Sequence, residues 1–198
     1  MFRKTLRSLS LFVVVVSVSA AVNAQSNLLQ NPDADRGGQS WRALGESEIE
    51  TTTTNETHFL VRNGGYFLQD VELPKDAAGK YILFIGHGAS ERINADGAIT
   101  GLPYLYGYLM RPPVPGEKEI LAYLQGQQML AQTNIQDEWV TMWGIFEVPE
   151  GTTKVRFFLN QALRAGVPHN GSAARFDHLG LYLFATRKEA QRFVREYQ

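Results

Sequence analysis

Beyond residue 25 the chain is a series of short apolar or alternating runs, broken at fairly regular intervals by Gly, Pro, Asn or Asp. Nine runs are rich in Val, Ile, Tyr, Phe, Trp and Thr, the residues that suit a pleated, half-buried surface. They lie near 48–53, 58–62, 66–72, 80–86, 103–111, 119–125, 139–148, 153–160 and 175–184. Several alternate cleanly. Val155, Phe157 and Leu159 fall on one side of their run, with Lys154, Arg156, Phe158 and Asn160 on the other. Short strands with no helical pattern between them predict an all-β antiparallel sandwich or jelly roll. With no internal repeat and no low-complexity linker, one domain over 25–185 is the economical reading.

The helical period occurs at the C-terminus, over 186–198. Thr186 and Glu189 stand at capping-box spacing, and Ala190, Phe193, Val194 and Tyr197 make a single apolar stripe among Arg187, Lys188, Arg192 and Arg195. So short a helix is marginal alone, so its stripe must be buried. Two destinations are open: the outside of its own sandwich, or a protein partner or second copy of the chain.

The first 24 residues follow another logic. Arg3, Lys4 and Arg7 precede an apolar or small run from Leu9 to Val22, and Val22-Asn23-Ala24 is a small-x-small cleavage signature. Residues 1–24 therefore read as a signal peptide of a secreted or periplasmic protein. An uncleaved anchor is the rival, but the run falls short of the roughly 20 residues needed to span a bilayer. No transmembrane span is expected after cleavage.

The 198 residues include no Cys, which excludes disulfide scaffolds, thiolate zinc sites and cysteine catalysis. With 19 Lys plus Arg against 20 Asp plus Glu there is no broad basic footprint, so nucleic acid is not an expected partner. Asn55-Glu56-Thr57 and Asn170-Gly171-Ser172 match glycosylation acceptors, relevant in a eukaryotic host.

The opening Asn27-Leu28-Leu29-Gln30-Asn31-Pro32-Asp33-Ala34-Asp35-Arg36-Gly37, followed by Trp41, resembles the start of family 4 and 9 type carbohydrate-binding modules and their galactose-binding-like relatives. Later landmarks keep the order: Gln69-Asp70-Val71, Gly79-Lys80-Tyr81, Trp139, Phe146-Glu147-Val148-Pro149, Val155-Arg156-Phe157 and Phe176-Asp177. The second half, from Tyr104-Leu105-Tyr106 through Glu119-Ile120-Leu121-Ala122 to Trp139, is also similar to the glycan-binding domain attached to some F-box proteins. The resemblance spans nearly the whole chain after residue 24 and implies a galactose-binding-like jelly roll that binds a glycan or polysaccharide. In that family a structural calcium often joins the N-terminal acidic segment to the closing strand. The resemblance thus makes Asp33, Asp35 and Asp177 candidate calcium ligands, with no other cofactor required. Carboxylates in a turn also have a plainer use, bonding nearby backbone amides. Two positions depart from the pattern: Ala34 replaces the usual aromatic, and His178 stands where many members have a second acid.

In Pro103 to Arg111 the period of 2 puts Tyr104, Tyr106 and Tyr108 on one face and Leu105, Gly107 and Leu109 on the other. With the leucines inward, three tyrosines line a surface where rings stack on sugar C–H faces and hydroxyls bond sugar oxygens. Arg111, Tyr123, Gln125 and Trp143 are candidate neighbours. The alternative is that the tyrosines are cross-strand packing pairs. Neutral glycans bound weakly on this face are the expected function, with no catalysis. A protein-interaction or assembly domain on the same fold and an unrecognised hydrolase are the alternatives. His58, His87, His169 and His178 show no ligand spacing along the chain, and no motif sets a nucleophile beside a base. Glu119, Asp137, Glu138 and Glu147 are the acids available for a hydrolytic pair.

Overall fold

A computed structural model describes residues 25–91, 101–133, 135–163 and 172–197. The signal-peptide segment 1–24, His169 and Asn170 lie outside the described residues, as does most of the loop from Ser90 to Leu102. Among the described residues no helix is long and apolar enough to cross a membrane.

Among the described residues eight strands follow in order: β1 (Arg42–Thr51), β2 (Thr57–Glu72), β3 (Tyr81–Glu91), β4 (Gly101–Met110), β5 (Ile120–Leu124), β6 (Val140–Glu147), β7 (Lys154–Leu163) and β8 (Ala173–Phe184). Helix α1 (Arg187–Glu196) closes the chain, and a 3-10 turn spans Gln127–Met129. Every strand pairing is antiparallel, in the order β5-β4-β7-β2-β8-β3-β6, with β1 beside β2. The ladder folds into two layers at β2. Its first half pairs with β8 at Phe59–Val61 and its second half with β7 at Tyr66–Glu72. The layers meet where Phe84 of β3 stacks on Phe157 of β7, centroids 4.9 Å apart and planes within 5°. This is the antiparallel jelly roll expected from the alternation.

The two runs predicted at 58–62 and 66–72 are one strand. Asn63 (φ 47°) and Gly64 (φ 75°) take left-handed conformations, which Asn and Gly tolerate best. Asn63-Gly64-Gly65 therefore bends the strand rather than ending it, and β1 bulges between Leu44 and Glu46 to follow it.

The opening motif has a structural role. Trp41 is buried against Phe59 (centroids 4.9 Å), and its indole N–H donates to the carbonyls of Gln30 and Asn31, both at 3.1 Å. Asn31 in turn donates to the carbonyls of Gly37 and Gln39, closing the loop. Leu28 N–H reaches Leu181 O at 2.8 Å, so the N-terminal segment lies against β8.

Thr186 caps α1 and Glu189 completes the capping box. Ala190 and Val194 are buried, and Phe193 packs on Tyr182 (4.6 Å) and Phe184 (5.4 Å), above Leu83, Ile85 and Ile145. The chain's own sheet thus covers the apolar stripe, the first of the two destinations. Phe193 is half-buried, so Phe193→Ala is expected to cost about 2 kcal/mol, below the range for a fully buried Phe. Thermal or urea unfolding measures it.

Candidate functional site

Strand register builds the tyrosine face. Leu105 and Leu109 are fully buried, and Tyr104, Tyr106 and Tyr108 line the outer surface of the β5-β4-β7-β2 layer. Gly107 lies between the tyrosines on the inward side. A Cβ there would come within 2.7 Å of Phe84 and of the Arg156 carbonyl, so the close approach of β4 to β7 and β3 requires glycine.

Across the strands, Tyr104 pairs with Asn160, Tyr106 with Phe158 and Tyr108 with Arg156. Those residues pair onward with Tyr66, Leu68 and Asp70 of β2, and Tyr108 pairs with Tyr123 of β5. Tyr106 lies flat on Phe158, centroids 4.4 Å apart and planes within 3°, while Tyr104 stacks on Tyr106 at 5.6 Å. Tyr108 meets Tyr123 edge-on at 5.2 Å. The packing and sugar-stacking readings of these tyrosines thus divide among them. Tyr106 is largely committed to Phe158, and burial pushes its hydroxyl well above the usual phenol range. Tyr104 is shifted upward by burial to a lesser degree, and Tyr123 is 67% exposed.

Gln125 belongs to this face, accepting a hydrogen bond from the Tyr104 hydroxyl at 3.4 Å. Together they line a cleft of about 410 Å³ with Gly126, Gln127, Leu130 and Ala162. A second cleft, about 630 Å³, lies beyond Tyr123 and is lined by Met110, Lys118, Glu119, Ile120, Leu121 and Arg156. Arg111 stands at that edge, its guanidinium donating to Lys118 O and paired with Glu117. A further cleft of about 420 Å³ beside Gln30, Ser40, Gln69 and Asp70 has no aromatic in its lining.

Trp143 does not join the tyrosines. It sits on β6 opposite Ile85 and packs into the cluster beneath α1, because β6 is the far edge of the other layer. Sequence reasoning missed Phe158, Tyr66, Asn160, Arg156 and Asp70 as members of the face. The signal for three of them was the polar side of the 153–160 run; the pairing of β4 with β7 was not readable.

Charges on this face are internally compensated. Arg156 holds Asp70 through two hydrogen bonds (Nε–Oδ1 2.6 Å, Nη2–Oδ2 2.8 Å), which keeps the Asp70 carboxyl below its ordinary range. Arg42 approaches Asp70 at 3.6 Å, and Lys154 pairs with Glu72 at 3.3 Å.

The four acids considered for hydrolysis do not converge. Asp137 pairs with Arg175 and Glu138 with Thr133 ahead of β6, whereas Glu147 ends that strand. The eight-residue strand β6 (Val140–Glu147) lies between Asp137 and Glu147 and holds them roughly 23 Å apart or more, against the 5–10 Å of a glycosidase pair. Glu119 stands apart from all three on the edge of β5.

The outer surface of the other layer carries a different cluster. Asp33, Asp177 and His178 bring their ligand-type atoms within 4.8 Å of one another. His178 is left-handed (φ 49°), its N–H donating to Asp177 Oδ1 at 2.8 Å and its Nδ1 lying 3.0 Å from Asp177 Oδ2. Burial raises the Asp33 carboxyl above its ordinary value, and nearby Asp177 and Asp35 add to the shift against the opposing effect of His178. Asp35 is exposed and outside the cluster. The donors gathered among the described residues are mixed nitrogen and oxygen, unlike the six to eight oxygens that calcium takes. The expected trio of Asp33, Asp35 and Asp177 is therefore not assembled.

No protein-family model and no curated protein sequence matches the chain. Solved structures do resemble it. The CBM22-1 xylan-binding domain from Paenibacillus barcinonensis Xyn10C is similar at a TM-score of 0.51 and 12% identity, over 84% of this chain and 99% of that one. The tandem CBM22-1-CBM22-2 structure of the same protein gives 0.55 and 13%, over 84% and 48%. The enzymatically active domain of bacteriophage CBA120 tailspike protein 4 gives 0.55 and 9%, over 80% of this chain; the chain spans 21% of that protein's length. The chain thus shares the antiparallel jelly-roll fold of these structures.

Proposed function

We propose that the chain is an exported, non-catalytic carbohydrate-binding module that takes neutral glycans weakly across the outer face of the β5-β4-β7-β2 layer. The observation that carries this reading is the in-register aromatic ladder, with Tyr104 and Tyr123 at its accessible ends and a cleft beyond each. Flat rings and amide groups suit the C–H faces and hydroxyls of a sugar. The compensated charges favour a neutral ligand over an acidic one, since Arg156 and Arg111 already have carboxylate partners. A xylan-binding domain of the same fold adds support for a polysaccharide ligand. Export rests on the leader pattern of residues 1–24.

Calorimetry or affinity electrophoresis of the chain beginning at Gln25, against xylan, β-glucan and galactan, tests the reading. Saturable binding to at least one, nearly unchanged between low and high salt, is the expected result, because screening acts on charges and not on stacking. No shorter products should appear during incubation. Binding confined to acidic polysaccharides and abolished by salt would refute a neutral site, and release of oligosaccharides would refute the non-catalytic reading.

A further inference from the structure

The outward face of α1 plays no part in the packing that holds the helix. Its apolar stripe, Ala190, Phe193, Val194 and Tyr197, rests on β3, β6 and β8. At about 100° per residue, Lys188, Arg192 and Arg195 fall directly opposite that stripe, at i, i+4 and i+7. Three exposed cations thus line the crest of the helix over about 10 Å, with Arg187 on their flank. Among the described residues Arg187, Lys188 and Arg195 have no ion pair, and Arg192 meets only Glu196, at 3.9 Å, with side chains 62% and 67% exposed. The body of the protein treats its arginines differently: Arg62 holds Glu48 at 2.6 Å, Arg156 holds Asp70 at 2.6 Å and Arg175 holds Glu50 at 2.7 Å. Composition follows the same division. Residues 25–186 carry 12 Lys plus Arg against 18 Asp plus Glu, whereas 187–198 carry four against two. An acidic body with an uncompensated cationic ridge approaches an anionic surface favourably in one orientation, ridge first.

We propose that α1 seats the protein on a bilayer surface rich in anionic phospholipid, through Lys188, Arg192 and Arg195. The shape of the ridge selects this partner among anionic ones. A helix lying flat on its own sheet is convex, so its crest meets a plane of headgroups with all three cations at once. A polysaccharide or peptide chain is held in a groove, and none of the clefts described above is lined by α1. Tyr81, Trp143 and Phe193 stand partly buried around the base of the helix, the kind of ring that sits at headgroup level. The contact is electrostatic and superficial, because the sheet already covers the apolar stripe that would otherwise insert. One consequence suits the glycan reading without depending on it. The helix and the tyrosine ladder lie on the outer surfaces of opposite layers, so a protein seated on α1 turns the ladder away from the membrane.

Flotation of the chain beginning at Gln25 with vesicles of equal parts phosphatidylglycerol and phosphatidylcholine tests the proposal, with pure phosphatidylcholine vesicles beside them. Retention on the anionic vesicles at low ionic strength, release by high salt and no retention on the neutral ones are expected. Lys188→Gln, Arg192→Gln and Arg195→Gln together should lower the partition coefficient about 100-fold, since each basic residue near a charged surface contributes about fivefold. The melting temperature should hardly change, because none of the three is buried. Arg36→Gln with Lys75→Gln, which removes exposed cations away from α1, should partition as the parent does. Glycan binding should be the same in the triple variant and the parent, so this inference and the glycan reading fail separately. Equal retention on neutral vesicles, retention that survives the triple variant, or an equal loss in the Arg36 and Lys75 variant would each overturn the proposal. Stronger retention on polygalacturonate than on anionic vesicles in the same salt would overturn it too, assigning the ridge to an acidic polysaccharide.

Discussion

Arg175→Met is expected to destabilise the folded chain by about 3 kcal/mol, the low end of the range for removing one partner from a buried ionic group. The Arg175 side chain is 16% exposed on β8. It holds Glu50 of β1 through two hydrogen bonds (2.7 and 3.1 Å), lies 3.2 Å from Glu91 of β3 and pairs with Asp137 ahead of β6. One guanidinium therefore fastens three segments to the closing strand across the open end of the layer. Methionine keeps much of the packing but leaves three carboxylates facing one another. Those carboxylates retain some access to water, which places the cost near the lower bound.

The loss should depend on pH with a definite sign. Hydrogen bonds from Arg175 hold the Glu50 carboxyl below its ordinary 4.5, so the folded state binds its proton less readily than the unfolded chain. That contribution is present above about pH 4.5 and disappears as pH falls through the lowered folded value. Urea unfolding of both proteins from neutrality to about pH 3 should therefore show the gap closing on acidification. A gap of constant size across that range would mean that the loss comes from packing rather than charge. Asp70, depressed by Arg156, adds a second acid-sensitive contribution that both proteins share.

Alternation and punctuation in the sequence place β3 to β8 within a few residues and the helix with its cap, because burial on one face is a local constraint, but they miss the first half of β1 and split β2 in two. Asn63-Gly64-Gly65 divided one strand into two expected runs because left-handed residues end a strand as readily as they bend it; only continued pairing with β1 distinguishes the two. The inward leucines and outward tyrosines of β4 were legible from their period of 2. Their neighbours were not, since β7 lies some 50 residues away and its register decides that Phe158 sits under Tyr106. Trp143 shows the same limit: its parity was readable, its layer was not. That His58 and His87 lie near Asp177 was not legible either, because β2, β8 and β3 are neighbours in the sheet and not along the chain.

The double variant Tyr104→Ala, Tyr123→Ala should weaken binding of a neutral glycan about 100-fold while leaving the fold intact, each anchor contributing about 1.4 kcal/mol. Tyr123 is 67% exposed, and Tyr104, though its inner edge rests on the core, sits at a cleft edge, so removing both leaves the fully buried side chains in place. Tyr106→Ala should behave in the opposite way. Its ring covers Phe158 face to face and is flanked by Tyr104 and Tyr108. Removing it opens a cavity over Phe158 at a cost of about 2 kcal/mol, since the ring is half-buried rather than enclosed. Its effect on binding is then indirect, through loss of the surface on which Tyr104 rests. Parallel calorimetry and thermal melting of the two variants separate ligand anchor from sheet packing. If the double variant binds as tightly as the parent, the glycan site is not on this face. If it unfolds, Tyr104 and Tyr123 are packing residues, and the ladder is a structural feature of the sheet rather than a platform for sugars.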